Sequence, residues 1–144
     1  MKSRDSGKAA GYSGTPLEKK LGIKPGLRVA LDGVPADVKR TLASALSECA
    51  AVTTAPLDFV LVCCDSHAKL KKALARWRKM LAPAGMLWIG WPKQTSGLAT
   101  DLNGNVVRDT GLATGLVDVK VCAISDAWSG LKFVIRLRDR PKKL

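Results

Sequence analysis

The chain has 144 residues, the size of one ordinary domain, and 47% of them are hydrophobic, enough to build a core without a metal or disulfide staple. Lys plus Arg number 24 against 12 Asp plus Glu, a formal net charge of +12 that favours polyanions as partners, either nucleic acid or an anionic small ligand. The longest apolar run, near Phe59 to Cys64, is far shorter than the roughly 18 residues of a membrane helix. No membrane association is expected, and the charged start with no apolar run behind it makes the cytoplasm the expected location.

Four cysteines (Cys49, Cys63, Cys64, Cys122) show no CxxC spacing, and His67 is the single histidine. No metal site is expected, and the cysteines fall on apolar positions where a thiol acts as a small hydrophobe.

In chain order, residues 1–11 are small, polar and charged and read as a disordered arm. A single domain is expected over 12–138, followed by a loose basic tail, 139–144. Thr15-Pro16 opens a short helix, with Thr15 as cap, Glu18 completing a capping box, and Gly22 ending it. Leu27 to Asp32 is a short strand that stops at Gly33-Val34-Pro35. Val38, Leu42, Ala45, Leu46 and Cys49 carry helical periodicity over Ala36 to Ala50. Asp58 to Cys64 is apolar enough for a strand covered on both faces.

Asp65-Ser66 caps a helix from about His67 to Leu81, with Leu70, Leu74, Trp77 and Leu81 facing the core. Its long polar residues are all cations: Lys69, Lys71, Lys72, Arg76, Arg78 and Lys79. Leu81 to Gly85 is a turn, and Met86 to Trp91 the third strand. Thr100 or Asp101 is expected to cap a last helix, irregular because Gly104 and Gly111 each cost about 1 kcal/mol relative to Ala. Val117 to Ile124 and Leu131 to Arg138 alternate as a hairpin around a Ser125–Gly130 loop.

Strand–helix alternation followed by a hairpin predicts an α/β fold. The sheet is mostly parallel and Rossmann-like, with helices on both faces and a C-terminal antiparallel strand pair. Ligands of such sheets bind beyond the carboxyl ends of the strands. The candidates there are Asp32 and Gly33; Asp65, Ser66 and His67, as an acid/base pair or a phosphate-binding helix start; and Trp91 with Lys93, as a stacking wall beside a cation. Trp88 and Trp91 should face opposite sides of the sheet. Asp126 and Trp128 in the hairpin loop, with Tyr12 and Ser13 before the first helix, are further candidates. Lys69, Lys72, Arg76 and Lys79 are the candidates for nucleic acid. No nucleophile triad, phosphate loop or metalloprotease motif is present.

The segments YSGTPLEKKLGIKPG, MLWIGWPK and GLVDVKVCAISDAWSGLKFV resemble a small bacterial family known only as a domain of unknown function. The second half, with LAPAG before a strand, a helix and a strand pair, is similar to class I methyltransferases. That resemblance implies a methyltransferase-like fold. In such enzymes the cofactor lies on a glycine-rich turn after strand one, where this chain has Asp32-Gly33-Val34-Pro35. The expectation is therefore a non-catalytic binding or regulatory protein with no cofactor. The alternatives are a nucleic-acid-binding protein and an S-adenosylmethionine-dependent methyltransferase or other small-ligand enzyme.

Overall fold

The computed structural model describes residues 14–141; the expected arm over 1–11, Tyr12, Ser13 and the end of the tail lie outside them. Four helices, α1 (Leu17–Leu21), α2 (Ala36–Leu46), α3 (His67–Trp77) and α4 (Gly104–Ala113), surround six strands. The strands are β1 (Arg28–Asp32), β2 (Ala50–Ala51), β3 (Leu57–Cys63), β4 (Leu81–Pro92), β5 (Leu116–Ala123) and β6 (Trp128–Ile135). They form one sheet in the order β2-β1-β3-β4-β6-β5. The pairs among β2, β1, β3 and β4 are parallel, and β6 runs antiparallel to both β4 and β5. The expected α/β class, with its mixed sheet and terminal strand pair, is what the chain adopts.

Alternation along the strands builds two cores. Ala30, Val60, Val62, Leu87 and Ile89 point to the side covered by Leu70, Leu74 and Trp77 of α3 and Val107 of α4. Phe59, Leu61 and Trp88 point to the other side, under Leu17 and Leu21 of α1 and Val38 and Leu42 of α2. Trp88 and Trp91 therefore do lie on opposite faces, but both are buried. The Trp88 indole N–H donates to the Leu21 carbonyl at 2.9 Å and pins α1 to the sheet.

Several local expectations are corrected. Pro16, not Thr15, is the cap of α1, with extended ψ and no side-chain bond, so the Thr15–Glu18 box does not form. The second helix ends at Leu46 rather than Ala50, because Ala50 and Ala51 pair with Arg28 and Val29 as β2. The helix of α3 gives way to a 3-10 turn at Arg78–Met80, and β4 begins at Leu81, so LAPAG belongs to the strand rather than to a turn. Five residue steps of β4, Leu81 to Met86, oppose two of β3, Leu57 to Phe59, which makes LAPAG a bulge.

Neither Thr100 nor Asp101 caps α4. Asn103 does, its side chain accepting from the Val106 amide at 2.9 Å. Nor is α4 irregular at Gly111. A Cβ there would overlap Cε1 and Cζ of the buried Phe133 ring, so the glycine lets α4 lie close on β6. The hairpin loop is tighter than expected. The Ser125 hydroxyl accepts from the amides of Ala127 and Trp128, and β6 starts at Trp128. Leu137–Asp139 form a 3-10 turn, and the Arg140 Nε donates to the Ile135 carbonyl, so the start of the tail is structured. The Trp91-Pro92 bond is trans; the cis bond lies at Ala55-Pro56.

Candidate ligand cleft at the strand-order switch

From β1 the chain runs outward to β2 and then returns to the other side of β1 as β3. The carboxyl ends of β1 and β3 are therefore neighbours, with Asp32 opposite Val62, and connections leave them in opposite directions. Such a reversal leaves a crevice in an open α/β sheet. Here it is a cleft of about 640 Å³, floored by the strand ends and walled by Lys69, Lys72 and Arg76 of α3 and by Trp128 of β6. That volume is within the roughly 300–1,000 Å³ of small-molecule sites.

Asp32 shares its face of β1 with Ala30, so its carboxylate points toward α3. Its Oδ2 accepts from the Trp77 indole N–H at 2.8 Å. The Arg76 guanidinium lies 4.3 Å from the centre of the Trp77 ring, within cation–π range. Asp32, Trp77 and Arg76 thus form a ridge between the cleft and a second recess of about 570 Å³, bounded by Leu46, Val52, Thr53 and Thr54. The second recess exists because the connection from α2 to β3 supplies only the two-residue β2 at that edge of the sheet.

Gly33 turns the chain after β1 with φ +69°, and a Cβ on it would stand 2.5 Å from the Cys63 carbonyl oxygen. The turn is pressed onto the end of β3 and tolerates no side chain. Burial pushes the Cys63 thiol up to about 12 and the Cys64 thiol up to about 11. Neither is a nucleophile near neutral pH.

At the rim, Asp65 is bonded to the Lys69 ammonium at 2.9 Å, and this hydrogen bond holds its carboxyl below the usual carboxylate range. Ser66 is the cap of α3, accepting from the Lys69 amide at 3.2 Å. The Asp101 carboxylate accepts from the His67 amide at 2.8 Å. With a hydroxyl and a carboxylate already on its first turn, the start of α3 has a resident anion where a phosphate was considered.

The cleft gathers Asp32, Gly33, Asp65, Lys69, Lys72, Arg76 and Trp128 from the candidates. The others go elsewhere. The His67 ring sits 3.3 Å from the Thr110 hydroxyl of α4, away from Asp65, so the two are not paired. Trp91 is 7% exposed and packs within the α3–α4 core. Lys93 has its amide tied to the Ala127 carbonyl and its carbonyl to Ser96, and lines neither recess. Asp126 is exposed on the hairpin turn, and Lys79 borders a separate recess below α3. Sequence reasoning missed Trp77 as the group that orients Asp32. It also kept the cations of α3 apart from the strand-end residues. The signal that joins them is the spacing of Lys69, Lys72 and Arg76, at i, i+3 and i+7 on one helix face.

Among the described residues no group of three or more His, Cys, Asp or Glu is placed to hold a metal, and no helix is long and apolar enough to cross a membrane.

No family model matches the chain and no curated protein matches it, so the resemblance to the small bacterial family of unknown function has no support from these comparisons. Solved structures do match. Magnesium protoporphyrin IX methyltransferase from Synechocystis PCC 6803, with bound SAH, is similar at a TM-score of 0.58 and 11% identity over 83% of this chain and 81% of that one. A TehB-like SAM-dependent methyltransferase from Corynebacterium glutamicum gives 0.54 and 10%, over 88% and 91%. Aeropyrum pernix fibrillarin, with natively bound S-adenosyl-L-methionine, gives 0.51 and 10%, over 83% and 69%. At these identities the likeness is one of fold, and the fold is that of the class I S-adenosylmethionine-dependent methyltransferases.

Proposed function

We propose that the cleft binds S-adenosylmethionine and that the protein is a small methyltransferase of this fold. The observation that carries the reading is a cleft of small-molecule size at the strand-order switch that offers both signs of charge and an aromatic wall. The residues present fit such a zwitterionic nucleoside. Lys72 and Arg76 would meet its carboxylate. Asp32 has Oδ2 held by Trp77, which leaves Oδ1 to accept from an ammonium or from ribose hydroxyls. Trp128, half-buried at the mouth, offers a face for the base. When bound, the group supplies a sulfonium methyl for transfer, and the chain's own part is to bind, orient and exclude water. Two of the similar structures hold this ligand or SAH, which supports the choice.

A second reading, binding without turnover, is favoured by the turn after β1. It has one glycine, its backbone already presses on Cys63, and Pro35 offers no N–H. The test is calorimetric titration and thermal melting with S-adenosylmethionine and its demethylated product. Ligand at 100 times Kd adds about 2.7 kcal/mol, which raises Tm by roughly 6–12 °C for a domain of this size. The shift should shrink in Lys72→Glu/Arg76→Glu. Heat and shift both absent at millimolar ligand refute binding. Binding with no methyl transfer to nucleic-acid, protein or small anionic acceptors selects the second reading.

A further inference from the structure

The cations of α3 have few partners. Lys71, Lys72, Arg76, Arg78 and Lys79 are all exposed, and among the described residues Lys69 is the one of these cations in an ion pair, with Asp65 at 2.9 Å. The helix carries no acidic residue and ends in two more cations. Lys72 and Arg76 stand at i, i+4, a like-charge pair that costs a few tenths of a kcal/mol. Lys69, Lys71 and Lys72 lie in the first half of the helix, where its dipole opposes them. Lys69, Lys72 and Arg76 also wall the cleft at one end of the stripe, and Trp128 lines the same opening. At the other end, Arg78 and Lys79 border the recess below α3.

We infer that this stripe seats a single nucleic-acid strand, with phosphates on Lys72, Arg76 and Lys79, which share one face at i, i+4 and i+7, and a base turned into the cleft toward Trp128. From Lys72 to Lys79 the stripe covers about 10 Å of helix axis, long enough for a few phosphates of one strand. A strand rather than a duplex follows from the cleft, because a base enters a pocket only when it is out of its stack. A membrane surface fits less well. The exposed large apolar residues are Leu98, Val119, Val121 and Leu137, and none lies on α3 to enter lipid. The inference rests on the reading of the cleft as the ligand site for where the base goes, and because Lys72, Arg76 and Trp128 serve both ligands, strand and S-adenosylmethionine occupy the cleft in turn rather than together.

The test is fluorescence anisotropy of a labelled single-stranded RNA of about 15 nucleotides and its DNA equivalent, without S-adenosylmethionine, across a salt series. Three phosphate contacts on a single strand give a log–log salt slope near −2. Lys72→Glu/Arg76→Glu should weaken binding at least tenfold and cut the slope to about −1 or shallower. The comparison is Lys39→Glu/Arg40→Glu, which makes the same charge change on the exposed side of α2 and should weaken binding less than about threefold. Base contact is read in wild type as tryptophan quenching that a strand lacking bases does not produce; Trp128→Leu should abolish that quenching while keeping the slope. Equal losses from the two charge reversals overturn the assignment and leave only net charge. So does duplex binding as tight as the single strand, or binding to anionic vesicles in the absence of strand binding. Strand binding with no S-adenosylmethionine binding leaves this inference standing and removes the methyltransferase reading; the converse removes this one alone.

Discussion

Gly111→Ala sets two well-defined effects against each other. Alanine in a helix interior is favoured over glycine by about 1 kcal/mol, and Gly111 is an interior residue of α4. The methyl, however, would overlap Cε1 and Cζ of Phe133 and stand 2.9 Å from its Cδ1. Phe133 is fully buried in the core, its ring has no solvent to swing into, and neighbouring β6 residues are paired on both sides. Relief therefore requires α4 to rise off the sheet or Phe133 to leave its rotamer. Forcing an extra methyl into a filled core costs typically 1–3 kcal/mol, and more where the backbone is held. With overlap this deep we take the upper end, for a net loss of about 2 kcal/mol after the propensity gain. For a domain of this size that is roughly 4–9 °C in Tm. Urea unfolding followed by tryptophan fluorescence gives the free energy directly, with an unchanged m-value if the variant still unfolds in one step. A Tm equal to or above wild type would refute the reasoning, showing that α4 has slack over β6 and that propensity decides.

Helix capping gives a paired prediction. Asn103→Ala should cost about 1 kcal/mol and speed exchange of the Val106 amide. Asp101→Ala should leave α4 alone and instead speed exchange at His67, the first residue of α3; hydrogen exchange read by NMR distinguishes the two, and faster exchange at Val106 in Asp101→Ala would contradict the assignment. The buried thiols predict alkaline sensitivity. Cys63 and Cys64 ionise near 12 and 11 when folded, against an ordinary value of 9.0. Above pH 9 the unfolded chain releases protons that the folded one keeps, so stability is intact below pH 9 and falls by roughly 1–3 kcal/mol per pH unit up to about 11. Denaturant melts from pH 8 to 10.5 should show this slope in wild type and a flatter one in Cys63→Ala/Cys64→Ala; equal slopes would refute it.

Much of the fold was legible because it is written in period. Runs such as Phe59 to Val62, apolar at every position, belong to a strand covered on both faces, and the steps Leu70, Leu74, Trp77 belong to one face of a helix. These signals are local, and burial amplifies them. The parallel core and its antiparallel pair could be anticipated from alternation alone, and with them the strand ends at Asp32 and Asp65; strand order could not. What escaped was every feature in which two distant segments compete for one group. Asp101 precedes α4 and yet accepts from the first amide of α3, because the His67 N–H is within 2.8 Å only once the chain has folded. Trp91 reads as a strand-end aromatic free to stack, and the approach of α4 buries it. The two residues of β2 carry no pattern at all and exist only because β1 offers them an open edge.

The sequence by itself determined the layers, the parallel core, Cys63 and Cys64 as buried packing groups and the excess of positive charge, since each follows from residue type and spacing along one segment; Cys49 and Cys122, read the same way, are only partly buried. Tertiary structure alone decided which charges line the cleft. Asp32 reaches Trp77 across 45 positions of chain, and Arg76 lies on the same indole. Lys69, Lys72 and Trp128 face one opening because α3 and β6 flank the same strand ends. Contacts of that range depend on how helices seat on a sheet, a packing question that no local pattern along the chain encodes.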